Sequence, residues 1–275
     1  LIGCCKGVSA GQPRLPWPLE GVLRVFVAAS TECFPQLSFG DAVQRLVDLE
    51  YTRVEICLRE SSEQLKPSQV HANVEKAVHL CRDTHRLTPV AYFVDIQAEG
   101  DEYYAQFLSC CKLAKASKVV IVSVPSAELG TPFNAEVERL RELVRIGTLE
   151  GVVVGIKTEV GRMSQDPDTA VVLCDNVKGL AISLDPSHYV CGPHGGGGYD
   201  QVMRHVCHVQ LRDTSKTALQ VRVGQGEIEY NRVINQLSRF KYSRALSVNI
   251  IEQADPTVDH MGEMRKMRLL LESML

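Results

Sequence analysis

Two stretches of the chain bring together side chains able to do chemistry. Leu184-Asp185-Pro186-Ser187-His188 and His208-Val209-Gln210-Leu211-Arg212-Asp213 each read as a short apolar strand ending in polar residues. A carboxylate with a histidine at one strand end, and His, Arg and Asp at the next, can bind hydroxyls, hold an oxyanion or supply part of a metal centre. Strand side chains alternate in direction, so Lys157 shares a face with Glu159, Ser183 with Asp185, His208 with Gln210, and Ser247 with Asn249. The layer these faces imply is Lys157, Asp185, Gln210 and Asn249.

The elements that must position this layer repeat with one rhythm. Strands are expected over 23–29, 53–58, 89–94, 118–124, 152–157, 180–184, 208–211 and 245–251. Between and after them, helical patterns run over 38–49, 70–84, 101–116, 132–146, 168–174, 199–205, 230–240 and 261–274. Eight strand-then-helix units predict an α/β protein, a single-domain (β/α)8 TIM barrel over 21–275, with 1–20 as a Pro-rich lead segment. Trp17, the only tryptophan, would plug the barrel bottom. Glu55 could face the mouth or the helix ring. Asp213 would cap the loop that follows it. The glycines at 195–198 lack the Lys-Ser/Thr of a phosphate cradle and read as a loop over the mouth.

Composition narrows the function. A net charge of −3 argues against a nucleic-acid partner. No apolar run approaches the roughly 18 residues of a membrane span, and residues 1–18 lack the apolar core of a signal peptide. Ten cysteines without a CxxC pair read as buried free thiols, and the expected location is the cytoplasm.

The ordered motifs Thr158-Glu159-Val160-Gly161, Leu184-Asp185-Pro186-Ser187-His188, His208-Val209-Gln210-Leu211-Arg212-Asp213, Gly224-Gln225-Gly226-Glu227-Ile228 and Leu246-Ser247-Val248-Asn249 resemble the xylose-isomerase-like TIM barrels. These are sugar phosphate isomerase/epimerase-type proteins with endonuclease cousins. The resemblance implies one divalent metal, such as Mn, Mg or Zn, held by a Glu of strand five, an Asp of strand six, a His of strand seven and a Glu of strand eight. Carried onto this chain, those positions fall on Lys157, Asp185, Gln210 and Asn249. The family's substrate-contacting histidine falls on His188. Only Asp185 matches the ligand set. A two-residue shift of strand five would put Glu159 in place of Lys157.

The departures agree with one another. Lys157 would pair with Asp185 in place of a cation, and the amides of Gln210 and Asn249 would hydrogen-bond both and each other. The expectation is therefore a barrel with no metal cofactor that binds a sugar-like small molecule. Asp185, His188, Gln210, Arg212 and Asn249 are its contacts, and isomerase activity is altered or absent. Lys157, Glu159 and His188 are the candidate catalytic groups. Two alternatives stay open: a working metal-dependent isomerase or epimerase with ligands such as Glu159 and Glu252, and a metal-free lyase using Lys157 as a Schiff-base amine. Association into a homo-oligomer also stays open.

Overall fold

The structure is a computed structural model that describes residues 25–252 and 257–275. Eight parallel strands close into a barrel in chain order, β1 (Phe26–Ser30), β2 (Arg53–Arg59), β3 (Thr88–Asp95), β4 (Ile121–Pro125), β5 (Val153–Lys157), β6 (Ala181–Leu184), β7 (Val206–Leu211) and β8 (Ala245–Val248). Strand β8 returns to pair with β1 through Phe26–Ala245 to Ala29–Val248. The lead segment and Trp17 lie outside the described residues.

Helices α1 (Phe39–Asp48), α2 (Pro67–Ala72), α3 (Val74–Arg82), α4 (Gly100–Ala116), α5 (Phe133–Glu150), α6 (Pro167–Asn176), α7 (Ser187–Cys191), α8 (Tyr230–Arg239) and α9 (His260–Glu272) surround it. Local chemistry sets their ends. The Ser38 hydroxyl accepts the Asp41 N–H at 3.2 Å and starts α1, which buries Phe39, Ala42, Val43 and Leu46. Asp166 accepts the Thr169 N–H at 2.9 Å and starts α6, with Pro167 in the first turn.

Several elements depart from the sequence reading: β8 stops at Val248 short of the expected Ile251, α5 runs on past Ile146 to Glu150, and three further departures have a local cause. The helix expected over 70–84 is split at Asn73, whose side chain accepts the Lys76 N–H at 2.8 Å and so caps a new helix. Strand β4 begins at Ile121, because Lys118 takes a left-handed conformation (φ 59°) as α4 ends. The helix expected over 199–205 is a 3-10 run over Asp200–His205, and α7 lies ahead of it.

The main apolar core fills the layer between strands and helices. Inside the barrel the bottom is closed by Ala91, Ile121 and Cys207, with Val153 and Ala181 against them. Gly155 fits here because a Cβ would lie 2.8 Å from the Cys207 Sγ. Above that floor the inward residues turn small and polar: Ser123, Ser183 and Ser247 are fully buried. Polar groups at the C-terminal mouth thus rest on a closed apolar base. Seven of the eight described cysteines are buried, all eight as free thiols.

Candidate functional site

Strand register settles which residues face the mouth. Lys157 ends β5 level with Pro125 and Ser183, and its side chain is only 4% exposed. Its Nζ sits 4.8 Å from the centre of the Phe93 ring on β3. Lys157, not Glu159, is therefore the inward residue, and Glu159 lies half-buried in the loop that follows. Glu252 is exposed beyond β8.

The expected pairing of Lys157 with Asp185 is not what forms. Lys157 Nζ lies 3.8 Å from Oε2 of Glu32, in the 3-10 turn directly after β1. Lys157 is level with Ser183, so Asp185 stands one inward step higher. There Arg212 reaches it, with Nη2 donating to Oδ2 at 2.9 Å. Ser187 donates to Asp185 through both its N–H and its hydroxyl. Burial alone would raise the Asp185 carboxyl, but Arg212, His188 and Lys157 hold it below the ordinary range.

His188 also faces this carboxylate, with Nε2 3.6 Å from Asp185 Oδ2. Its Nδ1 accepts the Val160 N–H at 3.1 Å, which leaves the proton of the neutral ring on Nε2, directed into the site. Burial, helped by Arg212 and Lys157 and opposed by Asp185, lowers its pKa from 6.5 to about 4. His188 is therefore neutral near pH 7 and acts as a donor.

The two amides do not bond to Lys157, to Asp185 or to each other. Gln210 Nε2 donates to Glu55 Oε1 at 2.6 Å, and Asn249 Nδ2 donates to Glu32 Oε2 at 3.2 Å. Glu55 faces the barrel interior, fully buried, with His208 Nε2 3.1 Å from its second oxygen. Burial raises this carboxyl, but the neighbouring His208, Ser247 and Lys157 together lower it.

Three participants went unrecognised in the sequence: Glu32, Arg59 and Asp95. Arg59 on β2 donates to Glu32 at 2.7 Å and to Asp95 at 3.1 Å, and its guanidinium lies 5.2 Å from the Phe93 ring centre. Lys157, Arg59 and Arg212 outweigh the burial of Glu32 and, with Asn249, hold it down to about 2. The position of Glu32 immediately after a barrel strand was the available signal.

Asp213 does close the loop after β7. It accepts N–H bonds from Gly224 at 2.8 Å and Gly226 at 3.0 Å. The glycines at 195–198 lie in an exposed loop beyond α7. Among the described residues, no three His, Cys, Asp or Glu side chains are grouped to hold a metal ion. Nor is any helix there long and apolar enough to cross a membrane.

Solved structures repeat this architecture. One is a xylose isomerase-like TIM barrel protein from Mycobacterium smegmatis in complex with magnesium, with a TM-score of 0.72 at 13% identity over 90% of this chain and 95% of that one. A second is D-allulose 3-epimerase from Methylomonas sp. in complex with D-allulose, at 0.71 and 11% over 92% and 98%. A third is a probable 3-DHS dehydratase from Bacillus anthracis, at 0.68 and 13% over 90% and 98%. At such identities the likeness speaks for the fold. No curated protein matches the sequence. The profile of one family matches residues 43–267, which span α1 to α9. With the closed eight-stranded barrel, that match means that the chain belongs to the xylose isomerase-like TIM barrel family.

Proposed function

We propose that this barrel binds a sugar-like small molecule at its C-terminal mouth without a resident divalent metal, and that the family's metal-dependent isomerisation is altered or lost. The carrying observation is the buried ammonium of Lys157 at the position where the family resemblance puts a carboxylate ligand. Hard dications take several anionic oxygens or imidazoles. The four corresponding positions here supply one carboxylate already bonded to Arg212, one ammonium, and two amides whose NH2 groups are turned to Glu55 and Glu32. That donor set does not fit a metal of this kind.

The same residues suit ligand binding. Among the described residues, Lys157 Nζ makes no hydrogen bond; it has a 3.8 Å contact with Glu32 and lies over the Phe93 ring. It therefore offers its N–H groups to a ligand oxygen, and His188 offers Nε2–H beside it. Gln210 Oε1 and Asn249 Oδ1 are buried without partners and can accept from hydroxyls. Proton abstraction is poorly served. Glu32, Asp185 and Glu55 are all held below the ordinary carboxylate range, which makes them weak bases near neutral pH. The D-allulose bound by the Methylomonas epimerase supports a sugar as the ligand class.

Calorimetric titration of D-allulose and D-fructose in excess EDTA tests this reading. Binding should be insensitive to EDTA and at least about tenfold weaker in Lys157→Met, the loss of roughly one charge-assisted hydrogen bond. Binding or ketose interconversion that strictly requires added Mn²⁺ would overturn it.

A further inference from the structure

The end of the barrel opposite to the mouth carries a pocket of its own, about 360 Å³ in volume. It opens where β6, β7 and β8 begin, and the underside of the apolar floor, Ala181 and Cys207, forms its inner wall. Arg204, His205, Lys241 and Arg244 line it, and no Asp or Glu does. Two of these groups are already engaged. Arg204 Nη2 lies 3.2 Å from Asp175 Oδ2, and its Nε donates to His205 Nε2 at 2.9 Å. The accepting ring is therefore neutral. Lys241 and Arg244 form no ion pair among the described residues.

Arg244 stands apart from the other arginines of the fold. Four described arginines have a buried nitrogen without a hydrogen-bond partner. Three of them hold carboxylates through their other nitrogens: Arg59 with Glu32 and Asp95, Arg212 with Asp185, and Arg268 with Glu50 and Glu272. Arg244 holds none, and its Nη1 is the buried, unpartnered atom. A buried cation without an acceptor is destabilising, and folded proteins pair such groups with protein, water or an ion. The barrel closure does not depend on this side chain, because the Phe26 N–H that joins β1 to β8 bonds to the Arg244 carbonyl.

Lys241 and Arg244 together bring two positive charges that the chain leaves unanswered. A dianion answers both, and a guanidinium fork fits two oxygens of one tetrahedral group. Ser243 adds a hydroxyl beside them, and the Phe240 ring, 52% exposed, gives an apolar edge for the body that carries the anion. The volume lies within the ~300–1,000 Å³ typical of small-molecule sites.

We propose that this pocket at the N-terminal end of the barrel binds the dianionic phosphate of a small phosphomonoester. It shares no residue with the mouth, and it stands whether or not the mouth binds a sugar.

The test uses the full chain at physiological ionic strength, where attraction to scattered surface cations is screened. AMP and glycerol 3-phosphate are the probes, and adenosine, glycerol and inorganic phosphate are the controls. Calorimetry and phosphorus NMR line widths read binding in the parent, Arg244→Met, Lys241→Gln and Lys157→Met. Arg244→Met removes an unpaired charge and should leave the unfolding midpoint unchanged or raised. Lys241 is exposed, so Lys241→Gln probes the pocket without disturbing the core. At least one ester should bind, at least about tenfold more tightly than its unphosphorylated counterpart and than inorganic phosphate. That binding should weaken at least about tenfold in Arg244→Met, weaken in Lys241→Gln and stay unchanged in Lys157→Met. Ester binding that survives Arg244→Met and Lys241→Gln, or that is lost in Lys157→Met, overturns the pocket. Inorganic phosphate bound as tightly as the esters overturns the ester as ligand. No binding of either ester overturns the proposal outright.

Discussion

Replacing His188 with glutamine should flatten the pH dependence of stability between about pH 6.5 and 4. The buried ring resists protonation, so its pKa falls from 6.5 to about 4 on folding. In that window the unfolded chain binds a proton that the folded chain does not, and stability therefore falls as pH falls. At about 1.4 kcal/mol per pH unit, the gap is worth on the order of 3 kcal/mol. The contribution is fully present above pH 6.5 and gone below pH 4. Glutamine can still accept the Val160 N–H and donate toward Asp185, so the packing is kept. Urea unfolding at intervals from pH 7.5 to 4 gives both curves. His205 and His260 are also lowered by burial, but they titrate in both proteins and cancel in the difference. If the two curves run parallel, His188 is not the buried neutral donor described above.

Arg212→Met should destabilise the fold by about 3–5 kcal/mol in urea unfolding, because it strands the fully buried Asp185 carboxylate. Adding Asp185→Asn to that variant should restore much of the loss. Gly226→Ala places a Cβ 2.0 Å from Asp213 Oδ1 and should cost roughly 1–3 kcal/mol. Faster hydrogen exchange at the Gly224 and Gly226 amides would report the broken loop clamp. Glu32 should impose an acid transition of its own. Its depressed pKa stabilises the fold above about pH 4.5, and that contribution is lost as pH falls toward 2. Glu32→Gln should remove this part of the curve.

The barrel was legible because strand and helix periods are local properties. Ser38 and Asp166 mark helix starts within four residues of sequence, and the alternation that turns Lys157, Asp185 and Gln210 inward needs only a strand. The partners of these groups were not legible, because they are chosen across the barrel. Lys157 meets Glu32 from the first strand end, 125 positions earlier in the chain. Gln210 meets Glu55 across a separation of 155 residues. Register shifts in the β2–β3 and β6–β7 pairings change which inward residues stand level, and alternation within one strand does not reveal them. The pairing of Asp185 with Lys157 failed for a simpler reason: in the regular β5–β6 register Lys157 is level with Ser183, one inward step below Asp185, and Arg212, two residues beyond Gln210, took the carboxylate.

Titration of the EDTA-treated protein with Mn²⁺, followed by calorimetry, bears most directly on the claim that a lysine stands where relatives of this fold would hold a metal. The parent should show no stoichiometric binding, and the triple variant Lys157→Glu, Gln210→His, Asn249→Glu should gain it through Asp185. One tight Mn²⁺ bound by the parent and lost in Asp185→Asn would contradict the account.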